Sequence, residues 1–187
     1  YTLSLHDALP ILLKRFTGFP KPISKLAFSP ESSTLAVGMH ASGGLHLISV
    51  EDGRRIAIRQ LHGACTALRY APDANLFVTS DGGNIQGYRP DGSQLYSLQT
   101  QDRSMILDSS LSPDGRQLAL VYKDFHLVEL RAASNGQVVK VLHRPGGKFM
   151  SVSWSADGTQ IMAAGHNKVE DERKLIVVWS AVSGDRK

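Results

Sequence analysis

The chain repeats itself, and the repeat constrains its fold more than any other feature. Leu111 to Leu120 reads LSPDGRQLAL, a Ser-Pro-Asp-Gly turn with an apolar strand behind it. Weaker copies occur at Phe28-Ser29-Pro30, at Tyr70-Ala71-Pro72 and at Trp154-Ser155-Ala156-Asp157-Gly158. The markers Ser29, Ala71, Ser112 and Ser155 stand 42, 41 and 43 residues apart. A near-constant period of this length is one supersecondary unit copied in tandem, each copy burying its apolar faces against its neighbours.

Each period predicts four short strands. In the first, Ile23 to Phe28, Leu35 to Val37, Leu45 to Ile48 and Arg54 to Leu61 are separated by Pro30 to Ser33, a glycine-bearing turn and the hairpin signal Asp52-Gly53. The second repeats the order, with Asp81-Gly82-Gly83-Asn84 and Asp91-Gly92 as turns. The third turns at Lys123-Asp124 and Asn135-Gly136, and the fourth carries a polar insertion, Gly165 to Lys174, before Leu175 to Trp179. No sustained 3.6-residue apolar stripe competes with the strands. The expectation is an all-β chain, a β-propeller fragment of about four blades of four antiparallel strands, forming an open arc and not a closed ring. The repeats span 20–62, 63–101, 102–144 and 145–187. Leu12 to Thr17 reads as a fourth-type strand without its own blade, and the last repeat as one strand short.

Composition restricts the function classes. A net charge of +4, with 17 acids interspersed among 21 Lys and Arg, makes no long basic run, so a nucleic-acid partner is not expected. The single cysteine, Cys65, forms no internal disulfide and lacks thiolate partners for zinc, which leaves it as a small buried strand residue. No apolar run approaches the roughly 20 residues of a membrane-spanning helix. A cytoplasmic protein without a membrane partner is the expectation.

Tyr1 to Ile11, YTLSLHDALPI, resembles translated read-through of a sequencing adapter. Residues 1–11 are accordingly set apart from the fold as foreign peptide. The chain proper, residues 12–187, then reads as a fragment of a longer protein.

From Leu12 to Gly184 the chain resembles WD40 repeats, on the turn at Ser112 to Gly115, its relatives at Ser29, Ala71 and Ser155, and the strand-end Trp179 with Tyr88 and Leu130 at the equivalent places. The Trp-Asp pair that names those repeats is absent, since Ser180 follows Trp179, and the Gly-His pair survives only as Gly18 before Phe19. Asp124 alone sits where the buried turn aspartate of such repeats would be, and Asp81 is one position early. The blades must therefore lean on apolar packing. Degenerate repeats of this kind are most similar to bacterial ones, where such arrays often sit beside an effector domain such as a caspase-like peptidase.

Chemistry-bearing motifs are few. The sequence has no nucleophile elbow, phosphate loop, dinucleotide fingerprint or zinc-protease helix. His40 and His46, six apart across a glycine turn, have no recognised ligand spacing, and the histidines read as strand-end and loop residues. Asp81 to Asn84 lacks the further acids of a calcium loop. Arg54, Arg55 and Arg59, and Arg69 with Arg89, read as charges that guard exposed outer strands. Met105, Met150 and Met162 read as core fillers. The best site-like feature is the insertion, with His166, Asn167, Lys168, Glu170, Asp171, Glu172, Arg173 and Lys174 as a candidate partner-binding loop, because loops on rigid scaffolds carry recognition. No catalytic, metal or cofactor residue is expected. The expected function is a non-catalytic scaffold for a protein or peptide partner, serving as a sensor or docking module within a larger protein. The alternative is the propeller of an enzyme or exported protein, TolB-like or prolyl-oligopeptidase-like, whose catalytic or signal region lies elsewhere.

Overall fold

The computed structural model describes residues 13–61, 63–80, 82–100, 103–143, 147–167 and 175–183. Fifteen strands occur among them, in four separate antiparallel sheets that follow the four repeats. The first sheet is β1 (Ile23–Phe28), β2 (Thr34–Met39), β3 (Leu45–Ser49) and β4 (Arg55–Arg59). The second is β5 (Cys65–Tyr70), β6 (Leu76–Ser80), β7 (Asn84–Tyr88) and β8 (Gln94–Gln99). The third is β9 (Ile106–Leu111), β10 (Gln117–Tyr122), β11 (Leu127–Ala132) and β12 (Val138–His143). The last holds β13 (Gly147–Trp154), β14 (Gln160–Asn167) and β15 (Leu175–Ser180). Strand order is sequential in every sheet, as short hairpin connections require.

The repeated phrase is the turn between the first two strands of each sheet. Ser112 Oγ donates to Asp114 Oδ1 at 2.6 Å and accepts from Gln117 N at 2.9 Å, while Arg116 N also donates to Asp114 Oδ1. Ser155, Asp157 and Gln160 make the same set in the fourth sheet. Gly115 and Gly158 take φ of 72° and 71°, the left-handed region that closes each turn. Ser29 Oγ accepts from Thr34 N in the first sheet, and in the second Asp73 accepts from Asn75 N.

The sheets pack face to face through their first strands, β1 on β5, β5 on β9 and β9 on β13. Alternation along each second strand feeds two interfaces at once. In β10, Leu118, Leu120 and Tyr122 pack with Ile85 of the second sheet, while Ala119 and Val121 pack with Phe149, Val152 and Trp179 of the fourth. In β2, Ala36 turns to Leu68 and Leu76 of the second sheet, and Gly38 is so close to it that a Cβ would stand 2.4 Å from Cys65 Sγ. Cys65 is buried, as its place in a strand predicts, and burial pushes its thiol up to about 12, which leaves it inert.

Polar contacts stitch the inner strands together at the repeat spacing. Ser24 Oγ donates to the carbonyls of Gly38 and Cys65, across the first boundary. Asp108 accepts from Arg69 Nη2 at 3.0 Å on one side, and from Ser151 Oγ and Val152 N on the other. One carboxylate therefore ties three sheets together.

The arc ends on open faces. Register places Met162, Ala164, Ile176 and Val178 on the side of the fourth sheet away from the third, and Ile176 is 73% exposed. At the other end, Leu26 and Phe28 are each 58% exposed, while Leu35, Val37 and Ile48 beside them are covered by Phe16 and Phe19.

Four expectations are corrected by these contacts. Residues 13–17 form no strand; Phe16 lies instead on the outward face of the first sheet, with Phe19 between His46 and the Arg55 guanidinium. Met150 and Met162 are exposed, not core, because they sit outside the packed face of the last sheet. Arg69 and Arg89 do not form a pair, since Arg69 is committed to Asp108 and Arg89 to Ser93. His46, by contrast, lies where the third strand is expected, second in β3 and 3% exposed, and burial followed by the nearby Arg55 charge lowers its pKa. Asp124 is exposed and accepts from Ser104 Oγ at 3.1 Å, so the expected buried turn position lies at the surface.

Candidate functional site

The loop singled out by sequence is only partly within view. His166 is exposed at the end of β14 and Asn167 is its last residue. Lys168, Glu170, Asp171, Glu172, Arg173 and Lys174 lie outside the described residues.

A cleft that sequence did not reveal lies between the third and fourth sheets, on the rim that carries the Ser-Pro-Asp-Gly turns. Its volume is about 500 Å³. Leu130, Val139 and Trp154 give it an apolar floor, and Asp114, Asp157 and Lys140 stand around it. Lys140 Nζ is fixed by the carbonyl of Val182 at 2.8 Å. The indole Nε1–H of Trp154 is buried without a hydrogen-bond partner.

The same cleft recurs between the first and second sheets, where it measures only about 60 Å³. Leu47, Ile56 and Tyr70 take the places of Leu130, Val139 and Trp154 there, and both outer strand pairs carry a register shift at the same point. The difference lies in the residues just after the third strand. Tyr88 pairs with Leu76 as Trp179 pairs with Ile161, so Arg89 and Pro90 of the second sheet correspond to Ser180 and Ala181 of the fourth. Arg89 and Pro90 line the small cleft, whereas the large one has Ala181 and Val182. Smaller side chains at these positions open the space. The outer strand of the second sheet, β8, lines none of the small cleft, so that strand is not what closes it.

Both acids at the large cleft are ionised near neutral pH. The Ser112 hydroxyl, then the Arg116 N–H, lower the pKa of Asp114. The Ser155 hydroxyl and the N–H and hydroxyl of Thr159 bring Asp157 to about 2. An apolar floor and two fixed carboxylates can take a short peptide segment. An apolar side chain of that segment would meet the floor, and a basic one would meet the acids. Among the described residues no group of three or more His, Cys, Asp or Glu is placed to hold a metal ion.

No protein-family model matches the sequence, and no protein of curated function matches it. Solved structures do. The β-propeller domain of Myceliophteria thermophila Cps50 (Swd1) superposes with a TM-score of 0.71 at 18% identity, covering 84% of this chain and 53% of that one. A chain of Kuenenia stuttgartiensis hydrazine synthase gives 0.74 at 15% identity, covering 95% of this chain and 51% of that one. The chain thus spans about half the length of each. At such identities the likeness speaks for architecture alone, and it agrees with the four sequential antiparallel sheets packed as successive blades: the chain has the β-propeller fold, as an open arc of four blades.

Proposed function

We propose that this arc is a non-catalytic protein-interaction scaffold, part of a larger propeller protein of the cytoplasm, and that it docks a peptide segment in the cleft between its third and fourth blades. The observation that carries the proposal is the contrast between about 500 Å³ there and about 60 Å³ in the repeat-equivalent cleft. Framework positions are copied from blade to blade; the cleft is a place where the copies diverge, and divergence opens space beside two ionised carboxylates. Sites of recognition sit on rigid scaffolds where local variation does not disturb the frame.

Selection of a random peptide library on the immobilised chain tests this, with Ala181→Arg as counter-target to refill the cleft. Enriched peptides should bind the native chain and lose affinity by about tenfold or more on the filled variant. Peptides that bind both forms equally would place recognition elsewhere, and a selection yielding no binder would remove the proposal.

A further inference from the structure

At one buried position the third blade departs from its neighbours in chemical character. Tyr88 stands opposite Leu76 in the second blade, and Trp179 opposite Ile161 in the fourth. The residue opposite Leu118 in the third is Arg131. Two residues earlier on the same strand, the fourth blade has Val177 and the third has Glu129. An apolar pair in one blade is an ion pair in another.

The pair is well made. Arg131 Nε donates to Glu129 Oε1 at 2.5 Å, with side-chain exposures of 12% and 16%. The Tyr122 hydroxyl donates to the same oxygen at 2.5 Å, and Arg131 Nη1 donates to the Gly136 carbonyl at 2.8 Å. Burial, then the Glu129 charge, push the Tyr122 pKa far up, so the phenol is always the donor. Burial opposes the Arg131 charge, but the hydrogen bond and charge of Glu129 outweigh it and raise its pKa. Burying such charges is costly, and apolar replacements of similar volume are often neutral or stabilising. Val177 and Trp179 show that this architecture accepts the apolar solution.

The triad faces a groove of about 430 Å³ between the second and third blades. Leu98, Phe125 and Leu127 form its apolar sides, and an edge-to-face contact with Tyr122 at 5.6 Å holds Phe125 in place. Two polar capacities at the groove remain unused: Glu129 Oε2 and Arg131 Nη2 have no hydrogen bond among the described residues.

We propose that this groove binds an uncharged amide carried on an apolar body. The charges of Glu129 and Arg131 cancel, so a carboxylate ligand would meet Glu129 and an ammonium ligand would meet Arg131, each at a cost. An amide offers both an N–H to Glu129 Oε2 and a carbonyl to Arg131 Nη2. Its apolar body fills the space against Leu98, Phe125 and Leu127. The site is separate from the cleft between the third and fourth blades and does not depend on what binds there.

Calorimetric titration of the 187-residue chain with 3-phenylpropanamide, 3-phenylpropanoate and 3-phenylpropylammonium tests the proposal, alongside N-acetyl-phenylalanine methylamide. The two amides should bind at least about tenfold more tightly than either ion, because each ion leaves one of the two unused atoms, Glu129 Oε2 or Arg131 Nη2, unpaired and places a like charge beside it. Tighter binding of the blocked amino acid than of the simple amide assigns the groove to a peptide backbone; the reverse order assigns it to a small-molecule amide. Tyr122→Phe/Glu129→Val/Arg131→Trp grafts the fourth blade's apolar pair into the third, and it should abolish amide binding without lowering the melting temperature. Val138→Trp, from a half-exposed position at the groove, should block binding without touching the triad. Equal affinity for amide and ions, or amide binding that survives Val138→Trp, would overturn the assignment.

Discussion

Arg131 holds in the third blade the place that Trp179 holds in the fourth. Trp179 is 2% exposed and meets Phe149 edge to face, ring centroids 5.4 Å apart at 76°. It anchors the largest apolar cluster in the arc, which joins Ala119, Val121 and Val128 of the third blade to the fourth. Trp179→Ala should lower stability by about 3–5 kcal/mol, the range for truncating a buried aromatic side chain. Urea unfolding monitored by circular dichroism reads this directly.

Asp108 is the polar counterpart of that cluster. Its carboxylate joins Arg69 on one side to Ser151 and Val152 on the other. Asp108→Ala should cost about 1–3 kcal/mol, mostly by leaving the Arg69 guanidinium and the Val152 N–H without their partner. In a double-mutant cycle with Arg69→Met, the coupling should be smaller than the Asp108→Ala effect, because Arg69 is partly exposed and solvent screens the pair.

The turn acids make stability depend on pH in one direction. Asp157 is lowered to about 2, and Asp114, Asp91, Asp52 and Glu31 are lowered as well, each chiefly by hydrogen bonds within its own turn. A carboxyl depressed on folding stabilises above its unfolded value, about 3.9 for aspartate, and loses that contribution as pH falls through its folded value. Thermal melts should therefore drop most steeply from about pH 4 toward pH 2. Asp157→Asn should melt below the native chain at pH 7, with the difference shrinking toward pH 2. A constant difference across that window would contradict the assignment.

The fourth blade's outer face is apolar and accessible. Ile176 is its most exposed member and lies on β15 beside Ala164. Exposed strands with apolar faces template association, and an inserted charge blocks it. Ile176→Glu should reduce concentration-dependent self-association in light scattering with little change in melting temperature.

Much of the framework is legible in the sequence. The interval between Ser29, Ala71, Ser112 and Ser155 places the turns, because Ser-Pro-Asp-Gly chemistry is local and the residues that cap it are adjacent along the chain. Apolar character matches Leu130 to Trp179, yet Arg131 is the true counterpart. Register is fixed by pairing of β10 with β11, and the shift at Leu130 and Arg131 against β12 cannot be read from composition. Met150 and Met162 read as core because alternation says which residues share a face, not which face is covered. The cleft is invisible in the sequence for a different reason. It forms between residues as distant as Ser112 and Val182, and its size is set by side-chain volume just after the third strand. Of the insertion that the sequence favours as a site, only Gly165, His166 and Asn167 belong to the described structure.

Hydrogen–deuterium exchange of the 187-residue chain, with and without a peptide selected on it, tests the central claim most directly. Docking in the cleft predicts slowed exchange at residues 112–117, 139–140, 154–158 and 181–183, where the lining side chains and their turns lie. Unchanged exchange in all four segments, with protection elsewhere, would contradict it.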